Sequence, residues 1–249
     1  MKGVPVGEAE QVKGKTAALR CDLLLAAALN FIVLTSIAIG LYPGSNNINS
    51  HTHGYSFTTN FFSDLGATRV YSHHLNVASA VLFMLALAGV GLAIVFFSPD
   101  VSVVAGKEQR LRKAGTAGAA CGVISGIAFI GIAAVPWNVS DGLHQLFVQI
   151  AFGLLLLFVV FLTAVQVMNH WPVGYLVPNI AYLVLLAAYV VLLFFGPGID
   201  RLRGLEVQAI GQKIIVYSSI ANVSIQAYGM RRYLVRTPDM GGTVEAGAD

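Results

Sequence analysis

The sequence predicts an all-α polytopic membrane helix bundle with six transmembrane helices and both termini cytoplasmic. Three observations carry that prediction. Of 249 residues, 56% are hydrophobic and only 11% charged, where a soluble domain carries about 25% charged residues. The apolar residues gather in six runs, each close to the roughly 20 residues that span a hydrocarbon core. Lys and Arg gather beside alternate ends of those runs, the pattern of loops kept in the cytoplasm.

The runs are 22–41, 74–97, 114–135, 143–168, 175–195 and 207–228. Each must be helical, because an unpaired peptide group in lipid costs several kcal/mol. The polar segment 1–20 holds Lys2, Lys13, Lys15 and Arg20. The apolar run after it is too long for a signal-peptide core and has no small-residue cleavage site, so it reads as a retained first helix. With Lys107, Arg110, Arg112, Lys113, Arg231, Arg232 and Arg236, this side collects eleven basic residues; the other side has Arg69, Arg201 and Arg203. The richer side is the cytoplasmic one.

The predicted organisation is therefore a cytoplasmic segment 1–20, a transmembrane domain 21–230 and a cytoplasmic tail 231–249, Gly-rich, polar and disordered after Arg236. Residues 42–73 form the one long loop, on the outer side and flexible, while short connections make neighbouring helices antiparallel. In the third run, Gly118, Gly122 and Gly126 recur every four residues. Small residues at that spacing let another helix approach closely, which predicts a central third helix. Cys21 and Cys121 fall in or beside apolar runs, as small hydrophobes rather than a disulfide.

The net charge of +3 lies in short basic runs beside apolar ones, which argues against a nucleic-acid partner. Membrane lipids are the expected partners, with a second copy of the chain as a further candidate. There is no phosphate loop, nucleotide fingerprint or Gly-x-Ser-x-Gly elbow, so no cofactor is expected. The expected location is a multi-pass place in a membrane, the plasma membrane in a prokaryotic cell.

Costly polar side chains concentrate at the predicted outer ends of three hairpins. The first offers Asn60, Ser63, Asp64, His73 and His74; the second Asp141 and His144; the third Glu206, Gln212 and Lys213. Ser63, Ser140 or the Asp beside each suits a helix N-cap. Lys213 lies six residues into the sixth run. An ionised Lys that deep either faces the interior and finds a partner, Asp64, Asp141 or Glu206, or snorkels outward. His73, His74 and His144 could approach a metal, but adjacent histidines diverge on a helix and no His-x-x-x-His pair exists, so no metal site is expected.

Asn60-x-x-Ser63-Asp64-Leu65-Gly66, Gly131, Pro136, His144, Gly204-Leu205 and Gln212-Lys213 resemble the prokaryotic six-span group known as domain of unknown function 998. The plan is similar to that of the eukaryotic DRAM and Sfk membrane proteins, which are tied to autophagy and lipid organisation. That resemblance implies six spans over about residues 20 to 230 and supplies no activity. A fainter likeness to the alkaline ceramidase superfamily implies zinc held by three His. Here the last run carries Lys213 in place of that superfamily's paired His.

Three functions compete. The first is a non-enzymatic protein that binds a lipid or amphipathic small molecule in an outward-facing pocket, its headgroup gripped by the polar mouth. The second is a metal-dependent membrane hydrolase acting on a lipid-like substrate through Asp64, His74 and His144. The third is a small proton-coupled transporter using Lys213 and a carboxylate. Asn30, Ser125, Gln149, Asn179, Asn222 and Gln226 are the main polar groups within the runs.

Overall fold

The computed structural model describes residues 6–106 and 108–236. These form eight helices: α1 (Val6–Leu41), α2 (Phe62–Leu65), α3 (Val77–Phe97), α4 (Asp100–Val104), α5 (Gln109–Ala134), α6 (Asp141–Met168), α7 (Val173–Phe195) and α8 (Leu202–Arg236). The tail from 237 onward, and Lys2 and Lys107, lie outside the described residues.

Six of the helices are long, and they close a ring in chain order. The sequence of packing is α1 on α3, α3 on α5, α5 on α6, α6 on α7, α7 on α8, and α8 back on α1. Arg231 pairs with Asp22 at 2.8 Å, so the last helix ends beside the start of the first.

Among the described residues, five segments are long and apolar enough to cross a membrane: Gly14–Leu41, Val77–Val104, Gln109–Ala134, Asp141–Met168 and Val173–Phe195. The sixth long helix, α8, has 35 residues. It carries Gln208, Gln212, Lys213, Asn222 and Gln226 along its length, so composition alone does not mark it as a span.

The burial pattern is that of a protein dissolved in lipid. Leu29, Leu85, Val184 and Phe195 stand exposed on the bundle surface, while Gln166, Asn179 and Lys213 are buried inside. Water-soluble chains rarely expose apolar patches beyond a few hundred Å². Hydroxyls within the helices or at their ends satisfy themselves locally: Thr35, Thr163, Ser219 and, at the end of α3, Ser98 each donate to the carbonyl four residues earlier.

Several expectations change. Helix α5 is a ring member between α3 and α6, not a central helix. Its glycines do bring backbones together: a Cβ on Gly126 would stand 2.6 Å from the Gly91 carbonyl oxygen of α3. The first helix begins at Val6 and the last runs to Arg236, so polar stretches read as flanking segments extend α1 and α8 as helix. Part of the expected inner loop after the second run is helix α4. Its Asp100 is fully buried and ion-paired with Arg20. Loop 42–76 is folded against the helix ends rather than loose. Cys21 and Cys121 are free thiols.

Candidate functional site

Loop 42–76 forms a cap over one end of the ring, opposite the chain termini. Asn60 organises it. Its Nδ2 donates to the Ser45 carbonyl at 2.8 Å and to Asp64 Oδ2 at 2.9 Å. The Phe61 N–H also donates to Asp64 Oδ2, at 2.9 Å, so Asp64 caps the short α2 turn. Ser140, by contrast, makes no capping bond through its side chain at the start of α6.

The cap ties the hairpins together. Asn138 accepts from the Thr68 N–H at 3.0 Å and donates to the Thr68 hydroxyl at 2.9 Å. The Tyr71 ring stacks on Trp137 with centroids 4.5 Å apart. Asn47 reaches the Ile199 carbonyl between α7 and α8 at 2.9 Å. Gln212 on α8 accepts from the Phe62 N–H at 2.6 Å.

Lys213 points inward and is 2% exposed. Its ammonium donates to the Asn60 carbonyl, and to the Ala209 carbonyl at 3.3 Å. Three rings surround it, Tyr55, Phe57 and Phe62, with centroids 5.3, 5.4 and 5.5 Å away. This distance range suits a cation over a π face. Among the described residues no ion pair joins Lys213 to a carboxylate; Asn60 stands between it and Asp64.

Asp64 is buried, and desolvation pushes its carboxyl up from the usual 3.8 to about 6, against the opposing pull of Asn60, the Phe61 N–H, Lys213 and Tyr71. Burial, together with the charge of Asp64, pushes the phenols of Tyr42, Tyr55 and Tyr71 up, so they stay neutral. The folded chain thus holds the Asp64 proton more tightly than the unfolded chain does. That contribution to stability is present below about pH 4 and lost as pH rises through about 6, to the extent of roughly 3 kcal/mol at most. Unfolding followed from pH 4 to pH 7 is expected to show this fall in the parent and not in Asp64→Asn. Identical slopes in the two would refute it.

The other predicted residues stand apart from this cluster. Ser63 is half-buried in α2, and His73 and His74 are exposed; His74 Nδ1 lies 3.4 Å from the Ser72 hydroxyl. Asp141 is exposed at the start of α6. His144 is buried one turn further on, with Nδ1 2.7 Å from the Val135 carbonyl oxygen. Glu206 is half-buried on α8. Among the described residues no three of His, Cys, Asp or Glu gather as a metal site.

A second polar group lies deeper, between α6, α7 and α8. Gln166 donates to Gln226 at 2.6 Å, Gln226 to Asn222 at 3.2 Å, Asn222 to Asn179 at 3.0 Å, and Asn179 back to Gln166 at 3.1 Å. Four buried amides therefore form a closed ring with every bond running the same way round. Gln226 also donates to the Tyr175 carbonyl at 2.9 Å, and Asn179 to the Thr163 hydroxyl at 3.0 Å. Those outside contacts fix the direction of the ring.

Between cap and amide ring the bundle is hollow. A cavity of about 100 Å³ is walled by all six long helices, with Phe31, Phe97, Phe129, Phe152 and Phe158 in its lining. Tyr182, Ser219, Asn222 and Gln226 also line it, but their polar atoms are turned to one another. The Tyr182 and Ser219 hydroxyls are 2.8 Å apart, and the two amides belong to the ring. Phe31 leans on Phe62, centroids 6.0 Å apart, which joins the cavity wall to the lysine cage.

Comparison with family models, with curated proteins and with solved structures finds no match for this chain. What the site can do therefore follows from its own geometry. Sequence reasoning found Asn60, Asp64, Gln212 and Lys213. It missed the tyrosines around them, Gln166, and the Arg20–Asp100 pair. For the amide ring a signal existed: Asn222 and Gln226 stand four apart, on one helical face.

Proposed function

We propose that this chain is a six-span membrane protein with both termini cytoplasmic, and that it binds the hydrocarbon part of a lipid or amphipathic small molecule in its central cavity. Helix α8, at 35 residues, reaches about 50 Å. Lys213, Asn222 and Gln226 are buried in the bundle, and Val207, Ile210, Ile214 and Tyr217 face out. Those features support a sixth span.

The observation that carries the binding reading is the aromatic-walled hollow itself. An engineered apolar cavity of about 150 Å³ stays dry and accepts benzene. At about 100 Å³ this one is smaller, so it holds a short chain end, with the rest of the molecule outside. Since each polar wall group is already bonded, the hollow gives no grip to a headgroup. This moves the proposed pocket from the outer mouth, where the sequence placed it, to the bundle centre. No observation favours the hydrolase, whose His74, His144 and Asp64 stand apart, or the carrier.

Ala28 lines the cavity and is buried. Ala28→Leu is expected to fill space without removing a bond. Native mass spectrometry of protein released from lipid nanodiscs is expected to show bound lipid or amphipath on the parent and little on this variant, with thermal stability kept or raised. Equal retention by both proteins would sink the cavity reading.

A further inference from the structure

Asn30 presents a problem that the bundle does not solve. It is exposed on the outer surface of α1, and its side chain has no hydrogen-bond partner among the described residues. It stands eleven residues before Leu41, the end of α1, hence ~16 Å from that end. Half of a hydrocarbon core is about 15 Å, so the amide lies near mid-depth. Its side chain is too short to reach an interface as Lys or Arg can.

Acyl chains offer such an amide nothing. A polar group left unpaired in hydrocarbon costs several kcal/mol. The four amides of the buried ring avoid that cost by bonding to one another. Gln149, half-buried, lies only eight residues into α6, closer to an interface.

The residues around Asn30 describe its partner. Leu23, Ala26, Val33 and Ile37 are exposed on the same face of α1, at alternating spacings of three and four. Within the chain α1 packs on α3 and α8, which leaves this stripe uncovered. An apolar stripe of that spacing with one central Asn is the pattern of a two-stranded helix seam, in which the amide sets register. Two copies in one membrane have the same orientation, so a two-fold axis along the bilayer normal brings like residues face to face.

We infer that α1 pairs with α1 of a second copy of this chain, Asn30 opposite Asn30, each amide donating to the oxygen of the other. The seam is independent of any ligand in the cavity and requires only that the bundle sits in lipid. Because Asn30 faces outward, its replacement leaves the fold of each copy intact.

Donor- and acceptor-labelled full-length chains reconstituted in phosphatidylcholine vesicles provide the test, with energy transfer followed as lipid dilutes protein. Transfer in the parent is expected to persist to low protein density. In Asn30→Leu its midpoint is expected to move about tenfold toward higher density, while Asn30→Gln keeps the parent's behaviour. Leu92→Val, on the exposed face of α3, is expected to change nothing. Transfer at the random-proximity level in the parent would overturn the seam. So would an unchanged midpoint in Asn30→Leu, or an equal shift in Leu92→Val.

Discussion

Lys213→Met is expected to destabilise the protein by about 3 kcal/mol or more, and adding Asp64→Asn is expected to recover part of that loss. The ammonium is enclosed by the Asn60 and Ala209 carbonyls and three aromatic faces. Hydrogen bonds to a charged group contribute about 1.5–3 kcal/mol, and each ring adds about 0.5–2 where water is excluded. A further effect is indirect. Lys213 is one of the groups that hold the buried Asp64 carboxyl down against desolvation. The two are not ion-paired, so the loss on removing one is smaller than the roughly 3–5 kcal/mol of a contacting buried pair, but removing both again takes away the uncompensated charge. The double variant should therefore be more stable than the sum of single effects allows. Reversible unfolding by detergent titration in bicelles, at pH 7, measures all four corners of the cycle. Effects that add within about 0.5 kcal/mol would show the two groups to be uncoupled.

The cycle also marks where the sequence was legible. A lysine deep in an apolar run announces itself through its cost, so Lys213 was found; its cost alone left an inward and a snorkelling orientation both open, and the structure turns it inward. Its expected partner was a carboxylate, yet the contact is a backbone carbonyl, which no residue identity encodes. The aromatic cage escaped for a related reason. Tyr55, Phe57 and Phe62 lie in a loop whose path over α8 depends on Asn60, and loop paths carry no periodicity. The helices were easier, since bilayer thickness writes a length into each apolar run. Their arrangement was not: Gly118, Gly122 and Gly126 report close approach, and that is equally consistent with a ring position and a central one. Asp100 was hidden because a charged residue beside a basic stretch looks like solvated loop, and only the fold brings it to Arg20.

The second large effect is expected from Asn179→Leu, at about 2–4 kcal/mol. Asn179 is fully buried and holds three bonds: it donates to Gln166 and Thr163 and accepts from Asn222. Leucine is of similar size, so the cost arises from the partners left behind. Gln166 loses a donor to its oxygen, and Asn222 loses the acceptor of its N–H. A stranded buried polar group costs about 1–3 kcal/mol. A single interhelical bond in a membrane averages only about 0.6 kcal/mol, so a loss near the upper figure would reflect the cyclic arrangement, in which one gap leaves polar atoms unpaired on both sides. Asn30→Leu makes the same chemical change on the outer face of α1, and there detergent unfolding of the separate chain is expected to show no loss. Two identical substitutions, one inside and one outside, thus separate the ring from any general effect of replacing Asn in a span. If Asn179→Leu were no more costly than Asn30→Leu, the amides would contribute little to holding α6, α7 and α8 together, and packing of the apolar wall alone would have to account for their register.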